Sequence, residues 1–285
     1  MPSLNTLRAF EAVARLNSIS VAANELCVTP AAVAQHVKSL EAWTGSKLLQ
    51  RHPRAVELTP LGQSVLEEFT MAFDQLGRAV QNLRTSAAPF EVRIAALPSI
   101  AQLWLSPRLP EIRSTLPNVS ISVSALEHCP NLTRDSFDLA IFYQDSKHCD
   151  DCIVVGQDRV FPVASPTVAK RLTKISDLSS ETFLYDMSWK ADWETWLDNV
   201  VPCQNLKKSG PEFTLYSLAL EECKNGAGVL IGHEYLVRTH LADGKLAAPF
   251  NEMVSLDKYL TIHTQRKIKP DSPLETIVQM LADSP

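Results

Sequence analysis

Cysteine and histidine side chains form the most reactive cluster in this 285-residue sequence. Cys149 and Cys152 make a Cys-x-x-Cys pair, which His148, Cys129 and His128 precede. Thiolates and imidazoles are ligands that zinc prefers, and an accessible pair of thiols can also be oxidised to a disulfide. The sequence has no second Cys-x-x-Cys pair to complete a structural zinc site. We therefore expect thiols without a role and no metal site. A redox- or metal-responsive site built from these five residues is the alternative.

The sequence shows no arrangement typical of catalysis. No Ser/His/Asp set or pair of carboxylates has a spacing that supports an enzymatic mechanism. Gly226-Ala227-Gly228 lacks the third glycine of a dinucleotide-binding loop, which favours a simple turn between a helix and a strand. The sequence thus predicts a protein that is not an enzyme and needs no cofactor.

Ser99 marks a candidate anion site. It follows the predicted strand Val92–Leu97 and precedes a helix predicted over Ile100–Arg113. A hydroxyl and the unpaired amides of a helix N-terminus attract anions, although Ser99 would also serve as a simple helix cap. Four further residues follow predicted strands or precede a helix, and are expected to line a ligand cleft: Glu127, Tyr143, Met187 and Thr214. Glu127 and Tyr143 suit an amine or a hydroxyl, so we expect an amino-acid-like ligand or another carboxylate.

Three short helical patterns occupy the N-terminal part of the chain. Ser20 is expected to cap the second helix, and Pro30 to begin a third that ends near Glu41. The small residues Ala22 and Ala23 allow another helix to approach closely. Two helices joined by a tight turn predict a helix-turn-helix.

A predicted wing and a long helix follow. Leu48–Thr59 forms two short extended runs, with Arg51 and Arg54 placed to meet phosphates or a narrow minor groove. The alternative is a solvated pair of arginines. From Pro60 to about Ser86 the apolar residues recur every three or four positions: Leu61, Val65, Phe69, Phe73, Leu76, Val80 and Leu83. We expect this stripe to pair with the same helix of a second chain, rather than to be an ordinary core helix.

Strands and helices alternate after residue 88, which predicts an α/β domain with ligand sites at the carboxyl ends of its strands. Trp189, Trp193 and Trp196 share one face of a predicted helix Trp189–Asn199 and are expected in the core. The predicted boundaries are a winged helix-turn-helix head at 1–61, a long helix at 62–88 and an α/β domain at 89–285. Within the α/β domain, lobe I takes 89–162 and 265–285, and lobe II takes 163–264.

The charge is divided unevenly along the chain. The net charge is −5, but residues 1–61 hold six bases and four acids and so are positive by +2, whereas the remainder is at −7. A positively charged N-terminal part on a negatively charged remainder indicates that the N-terminal part binds nucleic acid. No long apolar run predicts a membrane span or an export signal, so we expect a cytoplasmic protein with reduced thiols.

Several segments along the chain carry a family resemblance. In the head they are Leu7–Ala14, Ser18–Leu26, Val28–Glu41, Leu48–Arg51 and Leu58–Gly62. These segments resemble LysR-type transcriptional regulators, and the resemblance covers nearly the whole chain. Further on, Leu105–Leu109, Phe137–Ile141, Pro162–Pro166 and Asn225–Val229 resemble the branch that contains the glycine-cleavage activator and the β-lactamase regulator.

The resemblance implies an α plus α/β architecture. It consists of a winged helix-turn-helix DNA-binding head, a long dimerisation linker helix and a two-lobed α/β effector domain like a periplasmic binding protein. It implies a homodimer or homotetramer that binds double-stranded promoter DNA, contacts RNA polymerase and responds to a small molecule held between the lobes. In the family a Ser or Thr at the position of Ser99 contacts the effector, so this role is transferred to Ser99 and to the backbone amide of Ile100.

The predicted DNA contacts lie on the third helix and the wing: Thr29, Pro30, Ala31, Ala34, Gln35, His36, Lys38, Arg51 and Arg54. Family members often have Gln, Pro, Ser and Arg where this chain has Pro30, Ala31, Ala34 and Gln35. Thr29 matches the family and can form a hydrogen bond with a phosphate. Gln35 can pair with the N6 and N7 atoms of adenine, and His36 or Lys38 can donate a hydrogen bond to a base acceptor. Since few polar groups remain to read bases, we expect contacts to thymine methyls and extensive readout of DNA shape.

Overall fold

The computed structural model describes residues 1–51, 56–88, 90–145, 152–201, 209–264 and 268–283. The chain divides into two compact units, Met1–Ala87 and Ala88–Pro285. Within the described ranges, no helix combines the length and the apolar composition that a membrane span requires.

The N-terminal unit is helical, with one small antiparallel pair of strands. Its elements are α1 (Leu4–Leu16), α2 (Ile19–Glu25), α3 (Pro30–Thr44), β1 (Leu49–Arg51), β2 (Val56–Leu58) and α4 (Pro60–Ala87). The predicted cap of the second helix is wrong, because α2 begins at Ile19 and Ser18 caps it. Ser18 has the extended backbone of a cap, and its Oγ accepts a hydrogen bond from the Val21 amide at 3.3 Å. Ser20 already lies inside the first turn.

Buried residues of α1, α2 and α3 form the core of this unit. Ala22 and Ala23 are fully buried, as a close helix contact requires. Glu11 is also fully buried, and its Oε1 accepts hydrogen bonds from Arg15 at 3.0 Å and from Thr70 on α4 at 3.1 Å. The carboxylate therefore ties α1 to α4.

Glu41 attaches the wing to α3. Its carboxylate accepts hydrogen bonds from the amides of Leu48 and Leu49, at 3.0 and 3.3 Å, and from Nζ of Lys47 at 2.8 Å. Burial opposes ionisation of this carboxyl, but the three donors outweigh it and hold the pKa of Glu41 below its ordinary value. The charged side chain thus fixes the start of β1.

The apolar stripe of α4 divides into two parts. Val65 and Phe69 pack against the core of the N-terminal unit, and the Phe69 ring meets that of Phe10 edge-on with centroids 5.8 Å apart. Leu76, Val80 and Leu83 are 45%, 58% and 73% exposed. The first part of the stripe thus belongs to the head, and the second has no cover within the described part of the chain.

The C-terminal unit is built on a mixed eight-stranded sheet in the order β4-β3-β5-β10-β6-β9-β7-β8. The strands are β3 (Glu91–Ala96), β4 (Ser120–Ala125), β5 (Leu139–Asp145), β6 (Ile153–Ala164), β7 (Phe183–Asp186), β8 (Glu212–Phe213), β9 (Val229–His233) and β10 (Val254–Thr264). Two parallel sets, β4-β3-β5 and β9-β7-β8, flank the long antiparallel pair of β10 and β6. This is the strand pattern of a two-lobed α/β domain.

The helices of this unit are α5 (Leu109–Thr115), α6 (Pro166–Ala169), α7 (Asp192–Val200), α8 (Tyr216–Lys224), α9 (Glu234–Ala242) and α10 (Pro273–Ala282). The helix predicted over Ile100–Arg113 is wrong as a single regular helix. It consists of a π-helical segment at Ile100–Leu105, a 3₁₀ turn at Ser106–Arg108 and then α5. Pro107 and Pro110 explain the change, because each lacks the amide that a regular helix would bond.

Candidate DNA-reading face and effector cavity

Helix α3 presents a small polar face. Oγ1 of Thr29 accepts a hydrogen bond from the Ala32 amide at 3.2 Å, and a hydroxyl that accepts one bond can still donate its proton to a phosphate. Ala31, Gln35 and Lys38 are exposed. Because they lie four and three residues apart, their side chains share one side of the helix. This side combines one amide, one ammonium and one methyl group.

The other predicted DNA contacts lie at the border of this face or outside it. Pro30 is exposed at the first helical position, whereas Ala34 and His36 are half-buried. Nδ1 of His36 lies 3.4 Å from Oγ1 of Thr6, so the ring faces α1. The backbone of Arg51 ends β1, and Arg54 lies outside the described residues.

A cavity of about 370 Å³ opens in the C-terminal unit at the ends of five strands. It brings together four of the predicted effector residues, Ser99, Glu127, Tyr143 and Thr214. Ser99, Glu127 and Thr214 follow strands β3, β4 and β8, and Tyr143 lies two residues before the end of β5. Ligand sites of α/β sheets lie at these carboxyl ends. The size also suits a small molecule. Ile100 and Met187 are not in the cavity lining: Ile100 is fully buried in the core, and Met187 is 55% exposed.

The hydroxyl of Ser99 is buried without a hydrogen-bond partner among the described residues. Ser99 is only 6% exposed, and its helical backbone (φ −64°, ψ −41°) places it inside the first turn. Its side chain caps no backbone amide, so the simple capping role considered for Ser99 is wrong. The helical bonds start two residues before Ser99, where the Ala101 amide donates to the Leu97 carbonyl at 2.8 Å. An unpaired buried hydroxyl costs free energy until a ligand supplies its partner.

Aromatic rings form one wall of the cavity. Trp189 and Tyr143 meet edge-on with centroids 5.9 Å apart, and Tyr216 lies 5.3 Å from Trp189. Burial, together with the charge of Asp158, raises the pKa of Tyr143 well above its ordinary value. Tyr143 therefore keeps its proton at neutral pH and offers a donor.

Comparison with known proteins identifies the scaffold. Residues 4–63 match the family of bacterial regulatory helix-turn-helix proteins of the lysR type, and residues 90–284 match the LysR substrate binding domain. The chain belongs to the LysR family of transcriptional regulators. It is 33% identical over 258 residues to the glycine cleavage system transcriptional activator of Escherichia coli K12, covering 89% of this chain and 84% of the relative.

Solved structures of this family share the fold. The effector domain of the regulator AmpR of Pseudomonas aeruginosa aligns with a TM-score of 0.54 and 20% identity, over 67% of this chain and 93% of that one. The regulator CrgA of Neisseria meningitidis aligns with a TM-score of 0.52 and 21% identity over 99% of both chains. The predicted architecture of a helix-turn-helix head and a two-lobed α/β effector domain is confirmed. LysR-type regulators bind DNA and small-molecule effectors, form oligomers and are not enzymes.

Several cavity residues of this LysR-type regulator escaped sequence reasoning, among them Trp189, Asp186 and Lys258. Trp189 was expected in the core, but α7 begins only at Asp192 and Trp189 lies in the turn before it. Oδ1 of Asp186 accepts hydrogen bonds from the amides of Ser188 and Trp189, at 2.8 and 3.2 Å. These bonds fix the turn, in which the Trp189 side chain forms part of the cavity wall. An Asp directly after an apolar run is the signal that indicates such a turn. Lys258 on β10 also lines the cavity, and no local pattern indicated it.

A buried histidine lies behind the aromatic wall. His233 ends β9 with only 1% of its surface exposed. Its Nδ1 is 2.6 Å from Oδ2 of Asp158, and its Nε2 is 3.0 Å from Oδ2 of Asp192. Burial alone would lower the pKa of this imidazole, but the two carboxylates outweigh burial and raise it to about 9. The regulator therefore holds an imidazolium in its interior at neutral pH.

The redox or metal alternative finds little support in the described part of the regulator. His128 and Cys129 line the cavity, while His148 and Cys149 lie outside the described residues. Among the residues that the structure describes, no three His, Cys, Asp or Glu side chains are arranged so that they could hold a metal ion. Burial raises the pKa of Cys129 to about 11, which keeps this thiol protonated and unreactive.

Proposed function

We propose that this regulator responds to an amino acid or a similar molecule that bears both a carboxylate and an amine. The observation that supports this most is the buried hydroxyl of Ser99, which has no partner within the described residues and belongs to the cavity lining. The hydroxyl of Ser99 donates to the carboxylate. Glu127 and Asp186 line the same cavity and offer acceptors for an ammonium group.

Melting of the full-length protein tests the ligand class. A panel of amino acids and small organic acids is added separately, with and without reductant. A ligand that binds only the folded state at one hundred times its dissociation constant adds about 2.7 kcal/mol of stability. Replacing Ser99 by alanine is expected to weaken a binding amino acid by roughly ten- to a hundredfold, because a hydrogen bond to a charged group contributes about 1.5–3 kcal/mol.

Ser188→Ala is the matched control. It also removes a hydroxyl from the cavity lining, but Ser188 is exposed, and the Asp186 turn uses only its backbone amide. We expect this variant to bind the amino acid within about twofold of the native protein. An amino acid that binds Ser99→Ala as tightly as the native protein would contradict the carboxylate site. A melting shift caused by reductant or chelator alone would instead favour the cysteine alternative.

We also propose that Gln35 reads a base and that Lys38 contacts a phosphate. Their side chains share the exposed side of α3, which suits a recognition helix in the major groove. Gln35→Ala is expected to weaken binding to a selected DNA site by about 1–3 kcal/mol and to random DNA by less. Lys38→Ala is expected to weaken both equally and to lower the slope of log affinity against log salt by about 1.

Equilibrium binding to a fluorescent duplex, obtained by selection from a random library with the native protein, measures these effects. The comparison uses a shuffled duplex of the same length at several salt concentrations. An equal loss on both duplexes for Gln35→Ala would show that Gln35 reads no base.

The parts of the chain divide this work between them. We propose that residues 1–61 contact DNA, that residues 62–88 pair two chains, and that residues 89–285 hold the effector. Two heads related by symmetry then meet two half-sites of the promoter. A dimer, or a tetramer made from two dimers, contacts RNA polymerase beside this DNA.

A further inference from the structure

The ionic cluster of Asp158, His233 and Asp192 joins three elements of the effector domain. Asp158 lies on the long central strand β6, His233 at the end of β9, and Asp192 at the start of α7. Asp158 is fully buried and Asp192 nearly so. No two of these residues are near in sequence, so the cluster forms only when the whole domain is folded.

Other titratable groups face the imidazole from the remaining elements. Asp186 at the end of β7 lies close enough for its pKa to be affected by His233. The Tyr143 ring on β5 and the Tyr216 ring on α8 lie 5.8 and 5.5 Å from the imidazole. Oη of Tyr216 accepts a hydrogen bond from the His233 amide at 3.3 Å and donates to the Ile231 carbonyl at 3.0 Å. Three carboxylates thus surround one base, and buried carboxylates require a cation.

The imidazole also contacts the wall of the cavity. The Trp189 ring lies 4.1 Å from it between centroids, nearer than any other ring. A cation beside an indole is attracted by the ring electrons. Trp189 thus faces both His233 and the cavity.

We propose that His233 is a positioning residue of the effector cavity: as an imidazolium between Asp158 and Asp192, it fixes the rings of Trp189 and Tyr143 against which the effector packs. The part of this proposal that concerns binding rests on the proposed effector site. The part that concerns the position of the two rings does not depend on any ligand. His233 itself does not touch the effector, because it lies behind Trp189.

Fluorine NMR of the full chain labelled with 5-fluorotryptophan tests this assignment without any ligand. The Trp189 resonance is assigned by its loss in Trp189→Phe and is then followed from pH 6 to pH 10. We expect it to move with a midpoint near pH 9, the value at which the imidazolium loses its proton. Asp158→Asn is expected to lower this midpoint by about one pH unit or more, since it removes the nearer carboxylate. His233→Gln is expected to abolish the titration and to shift the resonance already at pH 7.

His240→Gln provides the matched control. His240 is a half-buried histidine on α9, outside the aromatic wall, and its replacement is expected to leave the Trp189 titration unchanged. A Trp189 resonance that stays constant from pH 6 to pH 10, or that titrates equally in His233→Gln, would overturn the proposal. If His233→Gln does not fold, Asp192→Asn decides, because it retains the histidine and must still lower the midpoint. A regulator that binds no amino acid leaves this result intact, so the two proposals fail separately.

Discussion

Replacing His233 by alanine is expected to lower the free energy of unfolding by about 3–5 kcal/mol at pH 7. The native imidazolium compensates Asp158 and Asp192, with contacts of 2.6 and 3.0 Å. Its removal leaves two buried carboxylates facing each other, which is the costly way to break an ion pair. Denaturant unfolding monitored by circular dichroism measures the loss. His240→Ala, which removes a half-buried histidine without contact to this pair, is expected to cost about 1 kcal/mol or less.

The same cluster predicts how stability depends on pH. The pKa of His233 rises from an ordinary value of 6.5 to about 9 in the folded protein. A raised pKa means that the folded state holds its proton more tightly than the unfolded state does. The resulting stabilisation is fully present below pH 6.5 and is lost as the pH rises through 9. By linkage it amounts to about 3 kcal/mol.

Unfolding of the native protein and of His233→Ala at pH 6 to pH 10 measures this contribution. We expect the stability difference between the two proteins to shrink across that interval. A constant difference would show that the histidine is neutral in the folded state.

Local patterns predicted the parts of the fold that depend on local physics. Pro30 begins α3 because its missing amide has no helical partner there, and no distant residue is needed for that choice. Ser99, Glu127, Tyr143 and Thr214 meet in one cavity because each lies at or just past the carboxyl end of a strand. The same rule did not reveal that Ile100 would face the core, since the direction of a side chain depends on how its helix packs.

Contacts between distant residues account for what the sequence did not reveal. His233 and Asp158 are 75 positions apart, and only the pairing of β9 with β6 brings them together. Trp189 has a helical spacing with Trp193 and Trp196 in the sequence. The Asp186 carboxylate, however, accepts a hydrogen bond from the Trp189 amide, and α7 begins three residues after Trp189. A single histidine in an apolar run more often lies in a core without any ion pair. No local pattern in the sequence therefore indicated that His233 would pair with two carboxylates.

The exposed part of α4 predicts that two chains pair through this helix. In a single chain its apolar side chains would be exposed to water. Leu76, Val80 and Leu83 lie three or four residues apart on one side of the helix. In a symmetric contact with the same helix of a second chain, these three residues of both chains would be buried together. Their apolar area would then be removed from water. Relatives of the family form oligomers, which agrees with such a partner.

Replacing Leu76 and Leu83 together by glutamate is expected to convert the protein to a monomer. Four carboxylates would then meet in a symmetric interface, and their desolvation and mutual repulsion oppose pairing. Sedimentation velocity measures the change in mass. DNA affinity is expected to fall by roughly a hundredfold or more, because a single head loses the avidity of two linked half-sites.

Met71→Glu separates this effect from a general response to surface charge. Met71 is 62% exposed on the same helix, but five residues before Leu76 it points to another side. We expect this variant to keep the native mass and DNA affinity. If the double variant at Leu76 and Leu83 retained the native mass, the chains would associate through the effector domain instead. A monomer that still bound DNA at native affinity would show that each head recognises its half-site alone, and the two-fold arrangement of heads would then be unnecessary for binding.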